Sequence, residues 1–170
     1  MTFGINGFGR IGRTAFRVWW ERFGQFGSSQ LGAINTSVSS DVEIWAHLLK
    51  YDSNYGVWPR DVKVTVYRKA KEATDELPEI GTFELDGPTG KQVITLTAQR
   101  DPAKIPWSRY GVSTVIEATG AFTSPDKAGL HFTGGANHVV ISAPGKGEGI
   151  TTSVLGVDQW DELQKKLTSD

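Results

Sequence analysis

The feature that most constrains this chain is a glycine pattern after a short apolar run. Residues 2–6 read Thr-Phe-Gly-Ile-Asn, and Gly7, Gly9 and Gly12 follow with the spacing G-x-G-x-x-G. Apolar residues then recur at spacings of three and four, at Ile11, Ala15, Val18, Trp19 and Phe23. The pattern predicts a buried strand, a tight loop and an amphipathic helix over residues 10–23, the context in which this spacing binds a dinucleotide.

Each glycine has a separate expected role in such a loop. Gly7 permits the tight turn, Gly9 leaves room for a pyrophosphate, and Gly12 lets the helix approach the strand closely. The helix N-terminus then offers unpaired N–H groups and a positive dipole end to the anion. A turn with a purely structural role is the alternative interpretation.

The remaining pattern alternates strands with helices. Apolar runs at residues 30–35, 112–117 and 138–142 are typical of parallel strands covered on both faces. A helix is predicted over residues 41–49, with Ser40 or Asp41 as its cap and Val42, Trp45 and Leu49 on one face. Further helices are predicted over residues 124–131 and around Trp160, Leu163 and Leu167, the latter after a strand at residues 153–157.

The middle of the chain has a different period. Residues 62–67 and 92–97 alternate polar and apolar side chains, and residues 86–90 (Asp-Gly-Pro-Thr-Gly) are strong turn residues after residues 83–85. We therefore predict an α/β fold of the doubly wound Rossmann type: a mostly parallel sheet with an antiparallel insertion, formed as one domain over residues 1–170.

Composition excludes several classes of function. A net charge of −1 gives no strong attraction to nucleic acid or anionic membranes, and no apolar run is long enough to span a membrane. The chain has no cysteine, which removes disulfides, thiolate metal sites and a cysteine nucleophile. With no secretory signal pattern, a cytoplasmic location is expected.

Histidine and tryptophan offer little catalytic signal. His47, His131 and His138 have no nucleophile at a recognisable spacing, so structural roles are expected for them, and no metal-ligand spacing occurs. Trp19, Trp45 and Trp160 are predicted to be core residues. Trp20 falls off the predicted stripe of its helix and is expected to face a partner.

The ribose end of the predicted site lacks its usual acid. A carboxylate about 20 residues after the glycines accepts hydrogen bonds from the ribose of NAD and repels the 2′-phosphate of NADP. Here the end of the second strand carries Asn35, Thr36 and Ser37, and the nearest carboxylate is Asp41. Because hydroxyls do not repel a phosphate, NADP is expected to be tolerated or preferred, although no arginine adjoins this place in sequence.

Taken together, these segments resemble the N-terminal cofactor domain of glyceraldehyde-3-phosphate dehydrogenase, nearly from end to end. The resemblance is carried by Ile5-Asn-Gly-Phe-Gly-Arg-Ile-Gly-Arg13, Ala33-Ile-Asn35, His47-Leu-Leu-Lys-Tyr-Asp-Ser-Asn-Tyr-Gly56, Arg100-Asp-Pro102 with Ile105-Pro-Trp107, Val115-Ile-Glu-Ala-Thr-Gly-Ala-Phe122 and Val139-Val-Ile-Ser-Ala-Pro144. It implies NAD or NADP as cofactor and phosphorylating oxidation of glyceraldehyde 3-phosphate, a step of glycolysis, as the activity of the complete enzyme.

The resemblance also implies a set of cofactor-binding residues. The adenosine and pyrophosphate site is formed by Asn6, Gly7, Phe8, Gly9, Arg10, Ile11 and Gly12, where Arg10 and Ile11 contribute backbone contacts. Arg100 borders the adenine, Thr119 and Gly120 lie along the cofactor, and Ser142 approaches the nicotinamide. Thr36 stands where the family usually has aspartate, and Ser37 is similar to the hydroxyl residue of family members that use NADP.

The family's catalytic cysteine, its histidine and much of its substrate domain have no counterpart in these 170 residues. The resemblance therefore implies no catalytic residue here and no dehydrogenase activity of this chain alone. The family is homotetrameric, and much of its oligomer-forming region is also missing. Three interpretations stay open: half of a split enzyme completed in trans by a catalytic domain, a non-catalytic cofactor-binding or regulatory module, and a piece of a longer protein.

Overall fold

The computed structural model describes residues 2–27 and 29–154. Within these ranges the main feature is one sheet in the order β5-β6-β7-β2-β1-β8-β9. Its strands are β1 (Thr2–Asn6), β2 (Gln30–Thr36), β5 (Lys63–Val66), β6 (Glu79–Gly87), β7 (Gly90–Ala98), β8 (Thr114–Glu117) and β9 (His138–Ile141). A separate small hairpin is formed by β3 (Tyr51–Asp52) and β4 (Gly56–Val57).

The sheet is parallel at its centre and antiparallel on one side. Strands β7, β2, β1, β8 and β9 run parallel to one another, whereas β6 pairs antiparallel with β7 and β5 pairs antiparallel with β6. The turn predicted at residues 86–90 joins β6 to β7, where Gly87 pairs with Gly90. The predicted fold class, a Rossmann-type sheet with an antiparallel insertion, is confirmed.

Both faces of β1, β2 and β8 are largely buried, but the prediction of a strand covered on both faces is wrong for β9, which lies at the edge of the described sheet with Val140 56% exposed. On one face the paired residues Leu96, Ile34 and Ile5 form a row in the larger core. On the other face Ala33 and Val115 flank Gly4, and a Cβ at Gly4 would lie 2.5 Å from the ring of Trp107. Small residues at this row therefore let the Trp107 indole lie directly on the sheet.

The α-helices of the described residues are α1 (Arg10–Arg22), α2 (Val42–Lys50), α3 (Pro125–Ala128) and α4 (Leu130–Thr133). The predicted face of α2 is confirmed, because Val42, Trp45 and Leu49 are its buried residues. Asp41 is its N-cap by position, but its side chain makes no capping bond and accepts from the backbone N–H of Ala70 instead.

The predicted face of α1 is wrong in part. Its buried residues are Gly12, Phe16, Trp19 and Trp20, whereas Ile11 and Val18 are about half exposed. Trp20, expected to face a partner, is 1% exposed and packs edge-to-face on Trp19. The face that meets the sheet is the one carrying Gly12, because only a glycine permits the close approach there.

Three boundaries also differ from the sequence prediction. The helix expected over residues 124–131 is two short helices that meet at Gly129. The strand expected from Val112 begins at Thr114, because the Val112 N–H donates to the Trp107 carbonyl and closes a turn. The strand predicted at 153–157 and the helix after it, with Trp160, lie largely outside the described residues.

Candidate cofactor-binding site

A cavity of about 360 Å³ opens at the carboxyl ends of the central strands. In the sheet β1 lies between β2 and β8, so the order of the parallel strands along the chain runs outward from β1 in opposite directions on its two sides. Ligands of open α/β sheets bind at such a point. Residues predicted for the cofactor that line the cavity are Asn6, Gly7, Phe8, Gly9, Asn35, Thr36, Ser37, Arg100 and Thr119.

The three glycines of the loop at residues 7–12, here called the glycine loop, have different surroundings. Gly7 has φ +92°, and a Cβ there would also lie 2.8 Å from the Thr119 nitrogen. A Cβ at Gly12 would lie 2.1 Å from the Gly7 carbonyl oxygen. A Cβ at Gly9 would have no atom within 4 Å among the described residues. Gly7 and Gly12 therefore shape the loop, whereas Gly9 borders open space.

The N-terminus of α1 is suited to receive an anion. Gly9 is its N-cap, no side chain of the described residues caps the helix, and its first turn has no acidic residue. The first N–H groups of a helix have no partner within the helix and carry the positive end of its dipole. Together with the space above Gly9, this arrangement fits a diphosphate.

Asn35 fixes the end of β2 beneath the glycine loop. Its carbonyl accepts from the Gly7 N–H at 2.9 Å, and its side-chain Nδ2 donates to Asn6 Oδ1 at 2.8 Å. Its Oδ1 accepts from Thr97 Oγ1 and from the Gln99 N–H, both at 2.9 Å. Asn35 is 3% exposed, so it acts as a polar link between β1, β2 and β7.

The ribose end of the cavity contains hydroxyls and a cation. The Thr36 side chain is 2% exposed, and its hydroxyl donates inward to the Thr97 carbonyl at 3.0 Å. The exposed Ser37 hydroxyl is 2.7 Å from that of Ser39. Arg100 is exposed and forms no hydrogen bond or ion pair with the described residues, which leaves its guanidinium available.

Among the described residues that line the cavity, none is an aspartate or a glutamate. Asp41, the nearest carboxylate in sequence, is held elsewhere: its Oδ1 accepts from the Ala70 N–H at 2.7 Å, and its Oδ2 lies 3.1 Å from Lys69 Nζ. The Ala70 hydrogen bond, followed by Lys69, holds the pKa of Asp41 below its usual value. The cavity wall is thus neutral or positive, which suits an anionic ligand.

The other predicted residues lie beside the cavity wall, whereas Phe8 lines the cavity although it is only 1% exposed. Arg10 donates to Ser53 Oγ at 3.3 Å, and Ile11 points outward. Gly120, with φ +72°, follows Thr119. Ser142 donates to the Glu117 carbonyl at 2.9 Å, one strand away from the cavity.

Several cavity residues were missed by sequence reasoning: Trp45, Gln99, Ala118 and Phe122. Trp45 was placed in the core by its helical spacing and is buried, yet one side of it also meets the cavity. Gln99 and Ala118 directly follow β7 and β8. Because parallel strands present their carboxyl ends at one edge, the residue after each predicted strand is the signal that would have found these two.

Membrane-spanning helices and clustered metal ligands do not occur in residues 2–27 and 29–154. No helix there is both long and apolar enough to cross a membrane. Within the same ranges, no group of three or more histidine and acidic side chains is arranged to hold a metal ion.

The sequence matches a protein family over most of its length. Residues 1–125 fit the profile described as "Glyceraldehyde 3-phosphate dehydrogenase, NAD binding domain". The chain belongs to this family. The resemblance drawn from the motifs is confirmed, and membership together with the glycine loop supports NAD or NADP as the cofactor of the domain.

Curated relatives extend the match beyond the family profile. The cytosolic glyceraldehyde-3-phosphate dehydrogenase of Chondrus crispus is 43% identical over 143 residues, which are 84% of this chain and 36% of the relative. Glyceraldehyde-3-phosphate dehydrogenase 1 of Streptomyces arenae is 41% identical over 158 residues, 93% of this chain and 40% of the relative. The chloroplastic form B of Pisum sativum is 40% identical over 157 residues, 92% of this chain and 30% of the relative.

The chain therefore spans between 30% and 40% of the length of these relatives. Their names include both cytosolic and chloroplastic forms, so the expected cytoplasmic location stays a prediction.

Proposed function

We propose that this chain binds NAD or NADP as the cofactor domain of a glyceraldehyde-3-phosphate dehydrogenase, with the diphosphate at the glycine loop. The observation that carries the proposal is the uncapped N-terminus of α1 beside Gly9, whose missing side chain leaves open space where an anion would sit. Backbone N–H groups of the first turn donate to the diphosphate, and no acidic side chain in that turn repels it.

The other predicted residues act along the length of the cofactor. Asn35, Thr36, Ser37 and Arg100 border its adenosine half, and Thr119 and Gly120 follow it across the end of β8. Ser142 is assigned to the nicotinamide end. When bound, the nicotinamide ring accepts a hydride from the substrate, and the residues of this chain bind and orient it.

A polypeptide of these 170 residues is proposed to bind cofactor without turning over substrate. Aldehyde oxidation in this family passes through a covalent adduct with a thiol, and the chain has no cysteine. An assay with glyceraldehyde 3-phosphate, phosphate and cofactor should give only the buffer rate, and a rate above it would contradict the proposal. Activity recovered on mixing with a separately expressed catalytic domain would support a split enzyme over a non-catalytic module.

NADP is proposed to bind at least as tightly as NAD. The cavity wall offers the exposed Ser37 hydroxyl and the available Arg100 guanidinium, and no carboxylate lines the described part of the cavity. A charged hydrogen bond from arginine to a phosphate is worth about 1.5–3 kcal/mol, which corresponds to roughly tenfold or more in affinity. Thr36 contributes little to this choice, because its hydroxyl is already bonded to Thr97.

Calorimetric titration with NAD and with NADP tests two claims separately: that the domain binds a dinucleotide, and that it binds NADP at least as tightly as NAD. Binding of either dinucleotide supports the cofactor domain, and failure of a folded sample to bind both at millimolar concentration contradicts it. Arg100→Gln should weaken NADP about tenfold and NAD much less, and Ser37→Asp should weaken NADP further by repulsion. A wild-type preference for NAD of about tenfold or more would refute the NADP proposal alone.

A further inference from the structure

A buried carboxylate and imidazole lie directly below the cavity. Glu117, the last residue of β8, is 1% exposed, and His131 of α4 is fully buried. Glu117 Oε2 lies 3.0 Å from His131 Nε2, and Trp107 Nε1 donates to His131 Nδ1 at 3.0 Å. Neither Glu117 nor His131 lines the cavity, and no step of the proposed function uses them.

The contacts fix which nitrogen of His131 carries its proton. An indole N–H can only donate, so the Nδ1 atom facing Trp107 must be unprotonated. The proton of the neutral ring is therefore on Nε2, which donates to Glu117. His131 thus connects a fixed donor on the sheet face to a carboxylate at the strand end.

Glu117 in turn holds both Asn6 and Thr119, which line the cavity. Its Oε2 also accepts from Asn6 Nδ2 at 2.5 Å, immediately before the glycine loop. Its Oε1 accepts from the Thr119 N–H at 2.8 Å and from the Thr119 hydroxyl. Asn6 is bonded onward to Asn35, whose carbonyl accepts from the Gly7 N–H.

Charge and burial hold the Glu117 carboxylate in one orientation. Burial opposes ionisation of Glu117, but hydrogen bonds from His131, Thr119 and Asn6 outweigh it and hold the pKa of the carboxyl below its usual value. An ionised carboxylate with these donors in a buried site cannot reorient without leaving buried donors unpaired.

We infer that His131 is a positioning residue for cofactor binding, which acts through Glu117 to set the places of Asn6 and Thr119 on either side of the diphosphate. The inference rests on the proposed function. Cofactor affinity depends on the donor and acceptor that His131 provides, and the shape of its ring is secondary.

Two substitutions at His131 separate hydrogen bonding from packing. Gln offers an N–H donor to Glu117 and an oxygen acceptor to Trp107 at nearly the same spacing. Phe fills the space and keeps the ring contacts with Trp107 and Phe122, but it provides neither polar group. His131→Gln should bind NADP within about threefold of the wild type, and His131→Phe about tenfold more weakly, an effect typical of coupling between neighbouring sites.

A packing role predicts the reverse order, with Phe the better replacement, and that result would overturn the inference. Equal affinities of the wild type and both variants would also overturn it. Val112→Ala is the matched control, because Val112 is 2% exposed in the same core as Trp107 and has no polar side-chain atom. It should lower thermal stability while leaving the dissociation constant within about twofold.

Amide NMR shifts of the ligand-free protein keep the test independent of cofactor binding. The resonances of Gly7 and Thr119 should move in His131→Phe and stay in place in His131→Gln and Val112→Ala. If the wild type binds no dinucleotide, the proposed function fails, while these shifts still decide whether His131 positions the loops. Should His131→Phe not fold, Trp107→Phe takes its place, and unmoved Gly7 and Thr119 resonances in that variant would refute the inference.

Discussion

Substitution of Gly12 by alanine is expected to damage the fold, because the glycine is required by contact between α1 and β1. A Cβ at this position would lie 2.1 Å from the carbonyl oxygen of Gly7 and 3.2 Å from Ile5 Cγ2. Ordinary van der Waals contact begins at 3.4 Å, so the helix start or the loop would have to move by about 1 Å. The obstructing atom belongs to the backbone and cannot rotate away.

The magnitude follows from two opposing effects. Overpacking of a core costs about 1–3 kcal/mol, and a backbone obstruction places Gly12→Ala at the upper end. The higher helix propensity of alanine offsets at most about 1 kcal/mol of this cost. The net loss is about 2 kcal/mol of unfolding free energy, which in a domain of this size lowers Tm by roughly 4–8 °C.

Thermal unfolding followed by circular dichroism measures this, with Gly9→Ala as the matched control. Gly9 has φ −67°, and an added methyl group would meet no atom of the described residues within 4 Å, so its alanine variant should lose only about 0.5–1 kcal/mol, because alanine is the poorer N-cap. The same variant should bind cofactor at least about tenfold more weakly, since the methyl group occupies the place of the diphosphate. Equal Tm values for Gly12→Ala and the wild type would refute the close-approach argument.

Three further outcomes are expected. Glu117→Gln should lower Tm most, relative to the wild type, above pH 4.5, the usual pKa of a glutamate. Because the pKa of Glu117 is lowered in the folded protein, the wild type loses this stability as pH falls through the folded pKa. The difference in Tm between variant and wild type should therefore narrow there, as Tm measured against pH will show. Thr36→Val should cost about 1 kcal/mol in urea unfolding by losing the bond to Thr97, and calorimetry should find an unchanged ratio of NAD to NADP affinity. Trp20→Ala should cost about 3–5 kcal/mol in urea unfolding, and a loss below about 1 kcal/mol would contradict its burial.

The two long helices show how far apolar spacing predicts a buried face. In α2 a single stripe of Val42, Trp45 and Leu49 exists, and it is the buried one. In α1 two overlapping stripes compete, and spacing alone favoured the one through Ile11 and Val18. Gly12 is the residue that decides between the two stripes. If Gly12 must contact β1, the residues four and eight positions later, Phe16 and Trp20, lie on the same face of the helix.

For the candidate site too, the sequence predicts one part and misses another. The glycine loop was predictable because its backbone demands are local and leave a sequence pattern. Arg100 and Ser37 are far apart in sequence, and they border one cavity because β7 pairs in parallel with β2, with Thr36 opposite Ala98. The bond between Glu117 and His131 depends on where α4 packs, and no spacing in the sequence predicts that contact.

The central claim is that backbone N–H groups at the start of α1 hold the cofactor diphosphate. Titration of a ¹⁵N-labelled sample with NADP, followed by NMR, tests it most directly. We expect saturable shifts of the Gly9, Arg10, Ile11 and Gly12 amides, with smaller shifts for Gly90 and other glycines far from the cavity. Unmoved resonances from Gly9 to Gly12 at millimolar NADP and NAD in a folded sample would contradict the account.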